Sequence, residues 1–554
     1  MNLFLKNGSK SFNFVWFTAV LFFVFCVIFP LGCVIFTPSA TDFASVFSSE
    51  ILRSAMRNTL VECVCSTLLS VAIGYVYAYA VVRGNIPFKK FFAAIPIIHL
   101  VTPPFVGGLA FILLLGKQGF ITKTLLNLDV SLYGFAGLLI AQVLCFFPVA
   151  YLICLESIRG INPSLEQAAR GMGAGDFRVF FTVTLPLSFS GIMSSLLFIA
   201  VSVLSDFGNP LIVAGRFRVL AVEIYTQLTG WLNSGKSAAL GLILLLPSVA
   251  LFIIQHRILK KNVLKIATIG GKTSCASYKK TSLPVSILLT AFCLFFALAI
   301  IFQFASIVAG SFQNLWGINT AFTLDHIKAM TRYLGELKDS VLFAFIAAIF
   351  ATLIALVNSY IVHRTESPLR PFLDIVCQIP SAIPGSLFGL SIALAGNLLQ
   401  FREPHILIVV AMTVGFLPFS YRIITAGFAQ LKTTLDDGAR SLGAGRLKVL
   451  SSILAPLLRG GIFSSFIYVF ARGTGTLSSV IFLVSFNTPL ASVAILNLAE
   501  QGDWGKSAAL ALILTILTFF ILGIGRFLVK RYSIIEGSKK SHKAIFRTFQ
   551  KNAE

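Results

Sequence analysis

Leu165-Glu166-Gln167-Ala168-Ala169-Arg170-Gly171-Met172-Gly173-Ala174-Gly175 is answered 270 residues later by Leu435-Asp436-Asp437-Gly438-Ala439-Arg440-Ser441-Leu442-Gly443-Ala444-Gly445. The two stretches lead at the same distance into Pro186 and Pro456. The same shift sets Pro148 on Pro418, Tyr151 on Tyr421, Gly191-Ile192 on Gly461-Ile462, and the run Gly235 to Leu240 on Gly505 to Leu510. A gapless register held over about a hundred residues marks an internal duplication, so the fold is that of one unit used twice.

The medium of that unit follows from composition. Of the 554 residues 57% are hydrophobic and 12% charged, with a mean hydropathy of +0.89. Soluble domains carry about a quarter charged residues, so the chain reads as an all-α polytopic membrane protein; the short alternating segments of a membrane β-barrel are not seen. Apolar runs fall at about 13–37, 56–81, 92–116, 131–155, 187–215 and 237–256, then at 284–310, 339–362, 371–398, 404–428, 457–487 and 507–529. That predicts twelve transmembrane helices in two parallel sets of six. The first run is too long for a cleaved signal peptide and is expected to stay as a span. The predicted organisation is a first repeat over 1–256, a basic linker over 257–283, a second repeat over 284–529 and a basic tail over 530–554.

With the N-terminus inside, alternate segments hold 30 Lys and Arg on the inner side and 12 on the outer. This asymmetry predicts cytoplasmic termini and a cytoplasmic linker. It also accounts for the net charge of +23 through topology and contact with anionic lipid, without nucleic acid. The twin loops, about 157–186 and 429–456, then lie in the cytoplasm. Acidic residues open each loop, where the helix dipole favours them. Small residues allow close approach of a partner backbone, a glycine allows the turn, and the proline starts the next helix.

At these residues the chain resembles the membrane subunits of ABC importers, whose signature is Glu-Ala-Ala, three residues, Gly, nine residues, then Ile-x-Leu-Pro. The spacing holds from Gly173 to Val183 and Pro186, and again from Gly443 to Ile453 and Pro456. Gln167 and Asp437 stand where the family has Glu, Gly438 replaces Ala, Val183 replaces Ile and Ala455 replaces Leu. The resemblance implies the type I importer architecture in a bacterial inner membrane. It implies that each loop is a coupling helix docking into an ATPase subunit, through Glu166, Gln167, Ala168, Ala169 and Gly173 and through Asp436, Asp437, Gly438, Ala439 and Gly443. Two copies of the ATPase and an extracytoplasmic solute-binding protein are then the expected partners. The chain itself would bind no cofactor and do no catalysis, ATP being used by the partner. Fusion of two units, with Ser205-Asp206-Phe207-Gly208-Asn209-Pro210 and Val222-Glu223-Ile224-Tyr225, is similar to ferric-iron importer permeases; related fused permeases serve 2-aminoethylphosphonate and thiamine.

Gly230-Trp231-Leu232-Asn233-Ser234-Gly235-Lys236-Ser237 matches the P-loop pattern letter for letter. A P-loop must follow a β-strand in a soluble α/β domain, and this one sits on the expected outer face between two spans, so it is read as a chance match at a helix entry. Eight of the nine cysteines fall in apolar runs and read as small buried hydrophobes, and no metal set is completed. Glu62 and Asp206 lie inside spans, where ionisable groups are expensive. Two readings stand for them: carboxylates facing a cation pathway, or interhelical hydrogen bonds. Arg472 reads as a packing or counter-ion residue. The rival architecture, a major-facilitator secondary transporter, wants a Gly-x3-Asp-Arg-like loop between the second and third spans, where this chain has Arg83-Gly84-Asn85-Ile86-Pro87.

Overall fold

A computed structural model describes residues 10–102, 104–127, 132–266, 282–365, 370–401, 403–525 and 527. Among them ten helices are long and apolar enough to cross a membrane, or up to twelve if each of two sharply bent pairs is one span. The first half comprises α1 (Phe17–Phe36), α2 (Glu50–Val82), α3 (Lys89–Val101), α4 (Pro104–Leu115), α5 (Phe135–Arg159), α6 (Pro163–Gly171), α7 (Leu185–Leu204) and α8 (Ser234–Ile266). The second comprises α9 (Leu283–Phe312), α10 (Leu334–Arg364), α11 (Arg370–Gln378), α12 (Gly385–Leu398), α13 (Pro404–Gln430), α14 (Thr434–Ser441), α15 (Arg459–Thr474) and α16 (Trp504–Gly525). A two-stranded hairpin, Gln313–Leu315 with Asn319–Phe322, follows α9 and was not signalled by the hydropathy pattern.

The apolar runs misjudge two spans in each half. Those at 92–116 and 371–398 are not single helices. α3 ends at Thr102 (ψ 148°), and the turn after α11 ends at Ile383 (ψ 122°). Each of these residues precedes a proline, which pushes it out of the helical region. In the second half the two pieces, Arg370–Ala382 and Gly385–Leu398, meet at 109°. The runs at 187–215 and 457–487 are likewise too long: α7 stops at Leu204 and α15 at Thr474. Helix α8 runs on to Ile266, into the stretch expected to be linker; 267–281 and the tail after 527 lie outside the described residues.

The halves repeat one packing pattern. α2, α5 and α7 pack on one another, and so do α10, α13 and α15. In lipid the apolar surface gains nothing by leaving its solvent, so close van der Waals fit has to hold helices together. Gly74 on α2 shows how: a Cβ there would lie 2.7 Å from the Tyr151 nitrogen on α5. The first helix of each half crosses to the other, α1 onto α12 and α9 onto α4, where Trp316 Nε1 donates to the Leu113 carbonyl at 2.9 Å. Outside contacts repeat as well. Thr59 Oγ1 accepts from Leu220 N at 2.8 Å and Ser340 Oγ from Ala491 N at 2.8 Å, each capping a short helix beyond the end of α7 or α15.

Candidate coupling helices and transmembrane polar cluster

The two signature loops fold as short helices with matching C-terminal turns. Asn162 caps α6, its side chain accepting from Ser164 N at 3.1 Å, with Pro163 at the first position. At the far ends Gly173 (φ +86°) and Gly443 (φ +81°) take the left-handed conformation. Ala174 N donates to Ala169 O and Ala444 N to Ala439 O, both at 3.1 Å, closing the same terminal turn. A Cβ on either glycine would meet nothing of this chain within 4 Å, so backbone conformation, not crowding within the chain, demands glycine here.

The signature residues divide between two faces. Gln167, Ala168, Asp437 and Gly438 are exposed, and Met172 and Leu442 cap their helices at 83% and 89% exposure. Ala169 and Ala439 are buried. Glu166 and Asp436 also turn inward, away from the face a partner would touch. Glu166 Oε1 is 3.0 Å from Arg83 Nε, with side chains only 4% and 5% exposed, and accepts from Thr184 Oγ1 at 3.0 Å. Arg83 Nη2 adds bonds to the carbonyls of Ile158 (3.1 Å) and Ile161 (3.4 Å). In the second half Arg364 Nε stands 3.3 Å from Asp436 Oδ2, and its Nη2 donates to the carbonyls of Phe428 (3.3 Å) and Leu431 (2.6 Å). Burial pushes the Asp436 carboxyl above the usual carboxylate range, opposed by Arg364. Its second oxygen, Oδ1, has no hydrogen-bond partner among the described residues, Leu454 standing where the first half has Thr184.

Arg83 and Arg364, at the C-terminal ends of α2 and α10, thus clamp both signature helices, and neither stood out in the sequence. Their acceptors are related by the repeat shift of 270, but the arginines themselves are 281 apart, because the first half carries a longer connection between α4 and α5. The only available signal was a basic residue ending the second span of each half.

The intramembrane acids meet as well. Gln142 on α5 donates through Nε2 to Glu62 Oε1 on α2 at 2.6 Å and to Asp206 Oδ2 after α7 at 3.1 Å. Its Oε1 accepts from Ser66 at 2.8 Å, so the amide uses both hydrogens and its oxygen. Asn209 Nδ2 adds a bond to Asp206 Oδ2 at 2.9 Å. Gln142, a neutral amide in apolar surroundings, was not singled out in the sequence, and Asn209 entered only within the Ser205 to Pro210 motif. Among the described residues no three His, Cys, Asp or Glu side chains gather to hold a metal, and eight cysteines are free. The P-loop lookalike follows no strand: Asn233 Oδ1 caps α8 by accepting from Lys236 N at 2.9 Å, and Asp503 Oδ1 does the same for Lys506 N at 3.1 Å.

Residues 70–264 and 359–534 each match the family model described as binding-protein-dependent transport system inner membrane component. The chain belongs to that family. It is 30% identical over 547 residues to a ferric transport system permease protein, FbpB, of Actinobacillus pleuropneumoniae, covering 94% of this chain and 78% of the relative. A second FbpB relative, of Haemophilus influenzae, is 30% identical over 499 residues, 84% of this chain and 78% of its own. The molybdenum transport permease ModB of Escherichia coli is 31% identical over 196 residues, 34% of this chain and 84% of its own. The protein is therefore a multi-pass permease of a binding-protein-dependent ABC importer, built from two copies of the family domain.

Proposed function

We propose that this chain alone forms the transmembrane pore of an ATP-driven importer of ferric iron, with both termini in the cytoplasm. Two copies of an ABC ATPase seat on the exposed faces of α6 and α14, and an extracytoplasmic binding protein delivers cargo to the outer face. The observation that carries this reading is the matched pair of coupling helices, alike in their glycine turns, buried arginine clamps and exposed Met172 and Leu442. Ferric iron is favoured over 2-aminoethylphosphonate or thiamine because the ferric permease relatives match along nearly the whole chain. Within this reading ATP-driven closure of the ATPases presses α6 and α14 together, and the clamps pull on α2 and α10. Asp206 is the oxygen donor that a hard cation meets in the pathway, with Glu62 tied to it through Gln142. The test is the hydrolysis rate of the reconstituted chain and ATPase with binding protein loaded in turn with each cargo. Stimulation by the ferric form alone supports the assignment; stimulation only by another cargo replaces it.

A further inference from the structure

Two arginines inside the second half have no part in the account so far. Arg422 lies on α13 and Arg472 on α15, and among the described residues neither is in a salt bridge. Tyr468 joins them, four residues before Arg472 on the same face of α15 and within electrostatic range of both guanidinium groups. Phe419, three residues before Arg422 on α13, sets its ring 5.0 Å from that of Tyr468.

This face looks across the seam between the halves. The neighbouring face of α15 is occupied by α10: Ser465 Oγ is 3.3 Å from Thr352 Oγ1, and a Cβ on Gly473 would lie 3.1 Å from that of Ala344. On the other side, Phe419 meets Phe198 of α7 edge to face at 5.7 Å. Arg472 acts electrostatically on Cys145 of α5 and His99 of α3, both first-half residues. The repeat shift of 270 gives the first-half partners of Arg422, Tyr468 and Arg472 as Leu152, Phe198 and Ser202. Unlike the Arg83 and Arg364 pair, none of the three has a like residue at its repeat position. A guanidinium inside a membrane is expensive unless it serves a pathway or finds a counter-charge. Asp206, which shares the surroundings of Cys145 with Arg472, is already bonded to Gln142 and Asn209.

We propose that Arg422, Tyr468 and Arg472 form an oxyanion-recognising station on the translocation pathway. The two guanidinium groups offer only N–H donors, and the Tyr468 phenol, whose oxygen accepts from Arg472, still has its O–H to donate, a set that suits phosphate, carboxylate, carbonate or another oxyanion. Cargo then passes this level as an oxyanion, or as a metal ion still carrying coordinated anionic oxygens, because a bare cation would be repelled by both arginines. The inference rests on the chain being an importer pore, and it excludes a cargo that crosses as a bare organic cation.

Cys145 supplies the test. The full chain, with its other cysteines replaced and assembled with its ATPase in nanodiscs, is treated with the anionic thiol reagent MTSES and the cationic MTSET. Each rate is divided by that for free 2-mercaptoethanol. The station predicts a normalised MTSES-to-MTSET ratio about tenfold above one. The double variant Arg422→Gln, Arg472→Gln should bring it near one, Arg422→Lys with Arg472→Lys should keep it raised, and Asp206→Asn should raise it further. Millimolar inorganic phosphate should slow MTSES in the parent and not in the double glutamine variant. If that variant does not assemble, each single glutamine variant should remove part of the preference. A parent ratio at or below one, a ratio untouched by the glutamine variants, no protection by phosphate, or a Cys145 that no reagent reaches in any nucleotide state would overturn the proposal.

Discussion

Arg83→Gln isolates the link between the first coupling helix and the membrane. In the parent, the guanidinium serves Glu166 Oε1 and the carbonyls of Ile158 and Ile161 at 3.0, 3.1 and 3.4 Å. Breaking a buried ion pair by removing one partner costs about 3–5 kcal/mol, most of it from the charge left behind. Glu166 keeps its bond from Thr184 and lies in a short polar helix outside the long apolar spans, where water can reach it once the clamp opens. The remaining cost is about 2–3 kcal/mol, a roughly 30- to 150-fold shift toward states in which α6 is detached from α2. Because Gln167, Ala168 and Met172 face away from the clamp, the ATPase should still bind and hydrolyse ATP. Transport per ATP should fall at least tenfold, and the α6 amides should exchange with deuterium faster. Glu166→Arg with Arg83→Glu should not rescue, since a carboxylate at 83 would face two carbonyl oxygens. Parent-like transport per ATP in Arg83→Gln would refute the linkage.

Arg364→Gln should uncouple at least as strongly as Arg83→Gln in the same assay, because no Thr184 equivalent holds the Asp436 carboxylate once the arginine is gone. Gly173→Ala and Gly443→Ala force a side chain into a left-handed turn, at about 1–2 kcal/mol each; reduced ATPase copurification measures it, and the double Gly173→Trp, Gly443→Trp variant should abolish uptake while still inserting. Gln142→Leu strips Glu62 and Asp206 of a shared donor inside the membrane, costing about 1–3 kcal/mol by the shift in thermal unfolding of the detergent-solubilised protein. Lys236→Ala, at the first turn of α8, should leave nucleotide turnover of the complex unchanged, and nucleotide binding by the isolated chain that vanishes in this variant would reinstate the P-loop.

The repeat and the two short signature helices were legible because both rest on local rules: hydropathy over a span, a glycine where φ must be positive, an acid in a first turn. Span ends were less so. The runs at 92–116 and 371–398 are apolar enough overall to read as single spans despite His99, Asp374 and Gln378, and the prolines after Thr102 and Ile383 are among several in those runs, so hydropathy alone does not place the break. The clamps were illegible for a different reason. Arg83 meets Glu166 across 83 residues and Arg364 meets Asp436 across 72, so only the fold brings them together. Glu62 and Asp206 stood out as charges in apolar runs, but the amide joining them did not, since a lone Gln142 carries no charge to notice.

The most direct measurement is uptake of radioactive ferric iron into proteoliposomes holding this chain and its ATPase, supplied with ferric-loaded binding protein outside and ATP within. The account predicts uptake that needs both ATP and the binding protein, ignores proton and sodium gradients, and is lost in the double Gly173→Trp, Gly443→Trp variant. Uptake driven by an ion gradient without ATP would contradict it.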